Sequence, residues 1–408
     1  MKNMDFAAFI VESRKAIQAA LLEGHEVSVV MGNEACDLDS AVAALTYAWF
    51  LFQFSRPGSR PVPMLNILRA ELPLHPELGY LFKRLALPSI DYLPCQDDVQ
   101  LKTLAKKGTL RLILVDHNIL PLSDAELEQF VLEVIDHHRL ERPQASRHSL
   151  SSRETVVYVE PVGSCCTLVA ERILGLVPQA SWMSLVPGNN HNEPQGRKQL
   201  SFNVAALLHA TIVLDCVNLS PAAGKTTPKD RAVLETLEGL FPQLPSRSEI
   251  FEELLSIKSN IDGLNMEQLL HKDAKAVEVE GIRVELCTVY CTLETVLQRH
   301  GLEAELALHS ETGSYNALIL LTIVFNLKKT PQRGILLYTK DAALRTKLCL
   351  ALENCHSPDL QLQIIRDLNG TNQYWVAYCQ GTASASRKQL LPVVMDALAD
   401  KASRGAIR

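Results

Sequence analysis

The amino-acid sequence predicts an α/β protein of two domains, the first built on a parallel sheet flanked by helices and the second smaller. Its 408 residues exceed the length at which a single hydrophobic core is usual. The first half alternates short apolar runs with amphipathic helices, which is typical of a parallel sheet. Acidic residues directly follow several of those runs. We therefore expect a functional site at the carboxyl edge of the first sheet.

The first half contains three short apolar runs that we interpret as buried strands. Gly32 ends the first run, and Ser40 is the expected N-cap of the helix that follows. The polar segment at 178–198 is typical of an exposed insertion loop. The predicted strands are Val27–Met31, Leu112–Val115 and Leu132–Ile135, and the predicted helices are Ala41–Phe54 and Phe202–Leu214.

A second α/β region follows a stretch at 242–262 that is punctuated by Ser and Pro and then helical. That stretch suits a connection between domains, so we place the first domain at 1–241 and the second at 263–408. The predicted elements of the second domain are the strands Ile282–Tyr290, Ala317–Phe325, Gly334–Tyr338, Gln361–Ile365 and Tyr374–Cys379, and a last helix at Ser386–Ala399.

Composition excludes several classes of protein. A net charge of −6 argues against a surface that coats DNA or RNA, and no apolar run reaches the roughly 18 residues that span a bilayer. The ten cysteines show no CxxC spacing, and a chain this long does not need a disulfide framework. We therefore expect the cytoplasm. The weakly amphipathic N-terminal helix leaves the mitochondrial matrix as an alternative.

Acidic residues and histidines cluster where the predicted strands and one helix end. In a parallel sheet the carboxyl ends of neighbouring strands converge on one crevice. Carboxylates gathered there repel one another unless cations neutralise them, and carboxylates mixed with imidazole suit Mg²⁺ or Mn²⁺. A single aspartate after a strand is usually a turn or helix-cap residue, but several in succession predict a metal site. The clusters are Asp37-Leu38-Asp39, Asp116, Asp136-His137-His138 and Asp215.

These clusters lie in motifs that resemble those of the DHH phosphoesterase superfamily. The first three motifs are Gly32–Ser40, Leu114–Asn118 and Val134–His138, and Ile212–Asp215 resembles the fourth. The segments Lys272–Lys275 and Ser386–Lys388 extend the resemblance to a DHHA2-type C-terminal domain, so that it covers nearly the whole chain in motif order. Within the superfamily the chain resembles the prune and exopolyphosphatase branch, which stands beside the manganese-dependent inorganic pyrophosphatases.

The resemblance implies a role for each motif residue. Asp116 would bridge two divalent ions about 3.5–4 Å apart and so take part in catalysis. His138 would stabilise the transferred phosphoryl group or pass it a proton, and Asp136 would orient an imidazole. The two ions, Mn²⁺ or Mg²⁺, would be held by Asp37, Asp39, Asp116, His137, Asp215 and Asn33.

Asn33 marks a departure from the pyrophosphatase branch, which has histidine at this position. An amide oxygen is a weaker ligand than an imidazole nitrogen. We therefore expect a looser first ion or a preference for Mg²⁺. The asparagine favours the prune and exopolyphosphatase branch, where it is usual.

Basic residues of the predicted second domain are candidates for binding phosphate. Arg387 and Lys388 open the last predicted helix, where a bound anion would relieve their opposition to the helix dipole. Lys275 matches the family's Asp-x-Lys motif. In the first domain, Ser164 lies in a small-residue turn ahead of a helix. From the residues alone, a solvated basic pair, a surface lysine and an ordinary turn are the alternatives.

These expectations favour metal-dependent hydrolysis of a phosphoanhydride or phosphodiester bond in a small acidic substrate. The resemblance implies a short-chain exopolyphosphatase, with cyclic nucleotides as an alternative substrate. An aromatic content of only 6% favours a substrate without a base. Inorganic pyrophosphatase activity is a second alternative. A regulatory protein that binds partners through a vestigial site is a third, so regulatory protein partners stay open.

Overall fold

The computed structural model of the chain describes residues 4–54, 60–140, 155–175, 200–325, 330–365 and 374–399. The described residues form two compact units. The first comprises Met1–Leu219 with Lys225–Leu255, and the second comprises Ser220–Gly224 with Ser256–Arg408. The insertion loop predicted at 178–198 lies outside the described residues.

The first unit is organised around one parallel sheet. Its described strands follow the order β2-β1-β3-β4-β5, and every neighbouring pair is parallel. The elements in chain order are α1 (Phe6–Glu23), β1 (Val27–Met31), α2 (Leu38–Phe54), β2 (Arg60–Met64), α3 (Pro76–Arg84), α4 (Gln96–Val99), α5 (Leu101–Lys106), β3 (Leu110–Val115), β4 (Val131–Asp136), β5 (Val156–Val159), α6 (Cys165–Leu174), α7 (Phe202–Asp215), α8 (Pro228–Leu240) and α9 (Arg247–Ser259).

Helices cover the sheet of the first unit, as a parallel sheet requires. On one face, Ile17 of α1 and Leu104 of α5 share a buried core with the alternating residues Val27 and Val29 of β1. α2 packs against β1 and β2, and α6 and α7 pack against α2 in turn. The α/β class and the parallel sheet predicted from the sequence are confirmed.

The start of α2 was predicted three residues too late. The helix begins at Leu38, so Ser40 lies inside its first turn and is not the N-cap. Asp37 takes the capping role, because its Oδ1 accepts a hydrogen bond from the Ser40 amide at 3.1 Å. The hydroxyl of Ser40 is therefore not used for capping and donates to Asp116 instead.

The second unit contains a mixed sheet. Its described strands follow the order β10-β11-β9-β8-β7-β6, in which only β7 and β8 are parallel. The elements in chain order are α10 (Met266–His271), β6 (Ala274–Val279), β7 (Ile282–Val289), α11 (Leu293–Leu297), α12 (Leu302–Thr312), β8 (Ala317–Phe325), β9 (Pro331–Tyr338), α13 (Ala342–Glu353), β10 (Leu362–Ile364), β11 (Trp375–Gln380) and α14 (Arg387–Leu398).

The division between the units falls inside α9, between Leu255 and Ser256. This point lies within the range 242–262 that the sequence indicated as a connection. The assignment of catalysis to one unit and substrate binding to the other stays a prediction. None of the described helices combines the length and apolar character that a bilayer crossing needs.

A partly buried carboxylate links α4 to two other parts of the first unit. Asp98 forms ion pairs with Arg14 at 2.8 Å and with Arg69, and its Oδ2 accepts from the Cys95 amide at 2.9 Å. Burial alone would raise the pKa of Asp98, but the Cys95 amide and the Arg69 guanidinium outweigh it and lower that pKa.

Replacing this carboxylate should cost stability in a pH-dependent way. We expect Asp98→Asn to lower the free energy of unfolding by about 1–3 kcal/mol at pH 7, because partly buried Arg69 loses its charged partner. Because the pKa of Asp98 is lower in the folded state than the unfolded value of about 3.9, its ionised carboxylate stabilises the folded protein at pH above that value. This contribution is lost as pH falls through the folded-state pKa. The deficit should therefore shrink below about pH 4 in urea titrations.

Glu12→Gln is the matched control, because Glu12 pairs with Lys15 at an exposed position and its loss should cost about 0.5 kcal/mol or less. A deficit of Asp98→Asn that stays constant from pH 7 to pH 3 would contradict the proposed role of the ion pairs.

Candidate metal and phosphoryl-transfer site

The candidate site lies where three neighbouring parallel strands of the first unit end. β1 pairs with β3 and β3 pairs with β4, so their carboxyl ends lie side by side. Asn33 lies in the loop after β1, Asp116 directly follows β3, and Asp136 ends β4. Asp116, His137 and His138 offer ligand atoms that all lie within 4.8 Å of one another.

Asp116 lies at the centre of this edge and is only 2% exposed. Its backbone has a φ of 60°, in the left-handed region that most side chains avoid, which is a strain common at functional sites. Its Oδ2 accepts hydrogen bonds from Ser40 Oγ at 2.7 Å and from Asn33 Nδ2 at 2.9 Å. Its Oδ1 lies 3.0 Å from His137 Nε2. Donors thus hold one oxygen and turn the other toward the imidazole.

His137 is anchored so that one ring nitrogen faces the carboxylates. Its Nδ1 lies 3.0 Å from the carbonyl oxygen of Val162, so Nδ1 carries the hydrogen of the neutral ring. The lone pair is then on Nε2, which lies near Asp116 Oδ1 and 3.7 Å from Asp39 Oδ2. Anchoring of one nitrogen on a backbone carbonyl is typical of a metal-binding histidine.

Asp39 is held by the N-terminus of α6. Its Oδ1 accepts from Ser164 Oγ at 2.7 Å and from the Cys166 amide at 2.8 Å, and its Oδ2 accepts from the Cys165 amide at 2.6 Å. The positive end of the α6 dipole therefore faces a carboxylate of the protein itself. Ser164 is buried and its hydroxyl positions Asp39, so contact of Ser164 with a substrate phosphate stays a prediction.

Asp136 orients His138 from behind. Its Oδ1 accepts from His138 Nδ1 at 2.7 Å and from the His137 amide at 2.7 Å, and its Oδ2 accepts from Asn118 Nδ2 at 2.6 Å. Burial alone would raise the pKa of Asp136, but the hydrogen bond and charge of His138 outweigh it and hold that pKa well below its usual range. The carboxylate is therefore ionised and fixes the ring of His138, whose side chain remains partly exposed.

Asn33 shapes the loop between β1 and α2. Its amide oxygen accepts from the backbone amides of Ala35 at 2.9 Å and Cys36 at 3.2 Å. Its amide nitrogen donates to Asp116, both to Oδ2 at 2.9 Å and to the backbone oxygen at 3.2 Å. The group turned toward Asp116 is thus a donor. A ligand role for Asn33 stays a prediction, since it requires the amide to rotate and these hydrogen bonds to break.

Asp37 and Asp215 lie at two helix ends around the same region. Asp37 precedes α2 and caps it, while Asp215 is the last residue of α7, which packs against α2 and α6. Burial raises the pKa of the Cys166 thiol well above its usual range, and the charges of Asp39 and Asp215 raise it further. The carboxylates of Asp39 and Asp215 therefore both act on the buried thiol of Cys166, which stays neutral and is unsuited to nucleophilic attack.

The donor set at this edge fits a divalent cation. Asp39 and Asp116 are buried next to each other around one imidazole nitrogen, and two ionised carboxylates in that position repel unless a cation compensates them. Oxygen donors with one imidazole are the ligands that Mg²⁺ and Mn²⁺ use in proteins. His137, Asp116 and Asp39 would hold such an ion, and the part played by Asp37 and Asp215 stays a prediction.

The basic residues predicted to bind phosphate all lie in the second unit. Arg387 begins α14 and forms an ion pair with Asp273 at 2.7 Å, and it also donates to the Asp273 backbone oxygen at 2.7 Å. Lys388 is exposed one residue later, and Lys275 is partly buried in β6. These three residues were identified from the sequence only because they match motifs of the family. Their contact with phosphate stays a prediction.

Residues that hold the site in place escaped the sequence reasoning. Ser40 and Asn118 fix Asp116 and Asp136, and the Val162 carbonyl fixes His137. Asn118 could have been suspected, because it stands two residues after Asp116 in the second motif. Val162 could not, because its contribution is a backbone oxygen 25 residues away from the histidine that it contacts.

The support that Asp136 gives to both histidines predicts a measurable effect on ion binding. We expect Asp136→Asn to weaken Mn²⁺ binding by about 10- to 100-fold, because a neutral amide replaces the charged acceptor of the His137 amide and of His138 Nδ1. Isothermal titration calorimetry with MnCl₂ measures the affinity directly.

The control for that experiment is Glu126→Gln, which neutralises an exposed carboxylate of the same unit. It should leave Mn²⁺ affinity unchanged. Wild-type Mn²⁺ affinity in a folded Asp136→Asn protein would show that Asp136 does not support the ligand set.

Comparison with known proteins places this geometry in a family. Residues 28–212 match the family model described as the DHH family, N-terminal domain, and residues 252–397 match the model described as the DHHA2 domain. The first match contains all of the strand ends that form the site. The second contains β6 and α14, which carry the basic residues.

Individual relatives and one solved structure agree with these matches. Exopolyphosphatase PRUNE1 of Bos taurus is 42% identical over 381 residues, which cover 93% of this chain and 78% of the relative. A Schizosaccharomyces pombe protein described as an exopolyphosphatase is 30% identical over 414 residues, covering 98% of this chain and 100% of the relative. A crystal structure of a Methanococcus jannaschii protein described as a family II inorganic pyrophosphatase has a TM-score of 0.61 at 19% identity, covers 91% of this chain and 99% of its own, and supports the fold alone.

Proposed function

This chain belongs to the DHH family, and we propose that it is a metal-dependent phosphohydrolase that removes terminal phosphate from short-chain inorganic polyphosphate. Membership of the family implies a divalent metal site. The relatives at 42% and 30% identity are described as exopolyphosphatases, which supports this substrate class.

One observation carries the proposal more than any other. His137 Nε2 faces the carboxylates of Asp116 and Asp39, while its other ring nitrogen is tied to the Val162 carbonyl. A site that had lost its function would have no reason to keep a buried imidazole aimed at two carboxylates, since this geometry costs free energy without a cation. The vestigial-site alternative is therefore disfavoured.

The chain's own residues divide the chemistry between them. Divalent ions held at this edge would polarise a phosphoryl oxygen and lower the pKa of a water molecule. In its protonated form, His138 would keep its Nδ1–H on Asp136 and would donate from Nε2 a hydrogen bond or a proton to a phosphoryl oxygen as the anhydride bond breaks. Asp136 keeps the ring of His138 in that orientation.

The proposed cofactors are two divalent ions, either Mn²⁺ or Mg²⁺. The support for two ions comes from the number of motif carboxylates in the first unit, since Asp37 precedes α2 and Asp215 ends α7, in addition to Asp39 and Asp116. A single nitrogen donor among oxygen donors suits either ion. Asp116 would lie between the two ions.

Substrate phosphates beyond the reacting one would be held by cations of the second unit. Arg387, Lys388 and Lys275 are the proposed contacts, with the first unit as the catalytic domain and the second as the substrate-binding domain. Arginine suits this task, because its planar guanidinium binds phosphate oxygens in pairs. Ser164 is the weakest candidate, since its hydroxyl already bonds Asp39.

A substrate panel tests the proposed activity. With Mn²⁺ or Mg²⁺ present, the purified chain should release phosphate from tripolyphosphate and tetrapolyphosphate at least about tenfold faster, as kcat/KM, than from pyrophosphate. Cyclic AMP should be turned over more slowly still, and a chelator should abolish all release. The measurement is phosphate release and nucleotide chromatography under initial-rate conditions.

The panel also separates the alternatives. Faster turnover of pyrophosphate than of tripolyphosphate would contradict the exopolyphosphatase assignment in favour of a pyrophosphatase. Release from none of the substrates, by a folded protein loaded with Mn²⁺, would return the chain to the class of partner-binding proteins.

A further inference from the structure

Positive charge is concentrated where α14 begins in the second unit. Arg387 and Lys388 are the first two residues of the helix, and its first turn contains no acidic residue. Both cations therefore oppose the helix dipole. The charge of Arg387 is compensated by Asp273. Burial alone would raise the pKa of Asp273, but the charges of Arg387 and Lys258 lower it.

A second arginine reaches the turn before α14 from the sheet of the same unit. Arg333 lies in β9, and its Nε donates to the backbone oxygen of Ala383 at 2.7 Å. Ala383 belongs to the turn that joins β11 to α14, three residues before the N-cap Ser386. Gln380 fixes that turn as well, because its side-chain nitrogen donates to the backbone oxygen of Ala385 at 2.7 Å. The guanidinium of Arg333 is thus held against the turn that precedes α14.

Unlike Arg387, Arg333 has no carboxylate partner among the residues that the structure describes. No ion pair joins Arg333 to an acidic residue in the parts of the chain that the structure describes. A guanidinium has five N–H donors, so the bond to Ala383 leaves the two terminal nitrogens for other acceptors. Burial lowers the pKa of Arg333 to about 10, although the charge of Tyr290 acts in the opposite direction, so Arg333 stays protonated at neutral pH.

A desolvated cation without a countercharge costs free energy, and an arriving anion recovers it. The planar fork of arginine matches phosphate oxygens, and the second unit is the proposed substrate-binding part of an enzyme for polyanions. We propose that Arg333 is a further phosphate-binding residue, which contacts a phosphoryl group of the polyphosphate chain next to the start of α14. The identity of the anion rests on the proposed function, whereas the binding of a phosphate chain at Arg333 does not require hydrolysis.

Binding of tripolyphosphate to the whole chain in the presence of a chelator tests this role apart from catalysis. We expect Arg333→Gln to weaken binding by about tenfold in calorimetry, because a charge-assisted phosphate contact is lost. Glutamine retains a side-chain N–H that can donate to Ala383, so the turn should persist. Binding within about twofold of wild type would overturn the proposal.

Arg283→Gln is the matched control. Arg283 also belongs to the sheet of the second unit, and it contacts a backbone oxygen, that of Gly313 at 3.0 Å, and the ring of Tyr315. Among the described residues, its side-chain contacts are with Gly313 and Tyr315 and not with the turn before α14, so its replacement should leave tripolyphosphate affinity unchanged. An equal loss in Arg283→Gln and Arg333→Gln would attribute the effect to the general charge of the unit and overturn the assignment.

Arg333→Lys keeps the test valid if the glutamine variant does not fold. Lysine keeps the charge but loses the planar guanidinium, so tripolyphosphate binding should weaken by about threefold, and wild-type affinity would overturn the proposal.

The outcomes of these experiments also separate the further inference from the proposed function. Arg333-dependent binding without phosphate release would leave this inference standing and contradict the exopolyphosphatase activity. Phosphate release with wild-type KM in Arg333→Gln would contradict this inference alone.

Discussion

The mutual repulsion of buried carboxylates at the end of the parallel sheet is the constraint on which the site depends. Asp39, Asp116 and Asp136 are all nearly inaccessible to solvent, and each is held by donors from a different part of the first unit. Ser40 and Asn33 hold Asp116, the start of α6 holds Asp39, and Asn118 with two histidines holds Asp136. Hydrogen bonds reduce the cost of gathering these charges, but a cation between Asp39, Asp116 and His137 would remove it.

This constraint also explains where phosphate is expected to bind. The N-terminus of α6 would be an obvious anion site, yet its free amides and the hydroxyl of Ser164 are already used by Asp39. In the first unit the dipole of α6 therefore holds the carboxylate of Asp39. We propose that cations for the remaining substrate charge come from the second unit, in which Arg387 begins α14 and Arg333 donates to the turn that precedes it.

The sequence predicted the elements that end in the site because buried parallel strands have continuous apolar runs. β1, β3 and β4 were found for that reason, and their polar ends identified Asp116, Asp136 and His137. The strands that were missed, β2, β5 and β6, are all at sheet edges. β2 contains Pro61 and Pro63, which edge strands tolerate but which weaken any strand pattern.

The interactions that hold the site could not be predicted in the same way, because they join distant segments. Asp39 meets the start of α6 more than a hundred residues later, since its partner Cys165 is 126 residues away. Asn33 was identified as a weak ligand from its residue type, but its amide orientation depends on the loop that it shapes. Arg333 gave no sequence signal, since only the fold brings β9 beside the turn before α14.

The central claim is that His137 and its carboxylates form a divalent metal site. The most direct test is Mn²⁺ binding followed by electron paramagnetic resonance in the wild type, in His137→Ala and in His25→Ala, which removes an exposed histidine of the same unit. The account predicts tight binding by the wild type and by His25→Ala, and a loss of at least about 100-fold in His137→Ala. Wild-type Mn²⁺ affinity in a folded His137→Ala protein would contradict it.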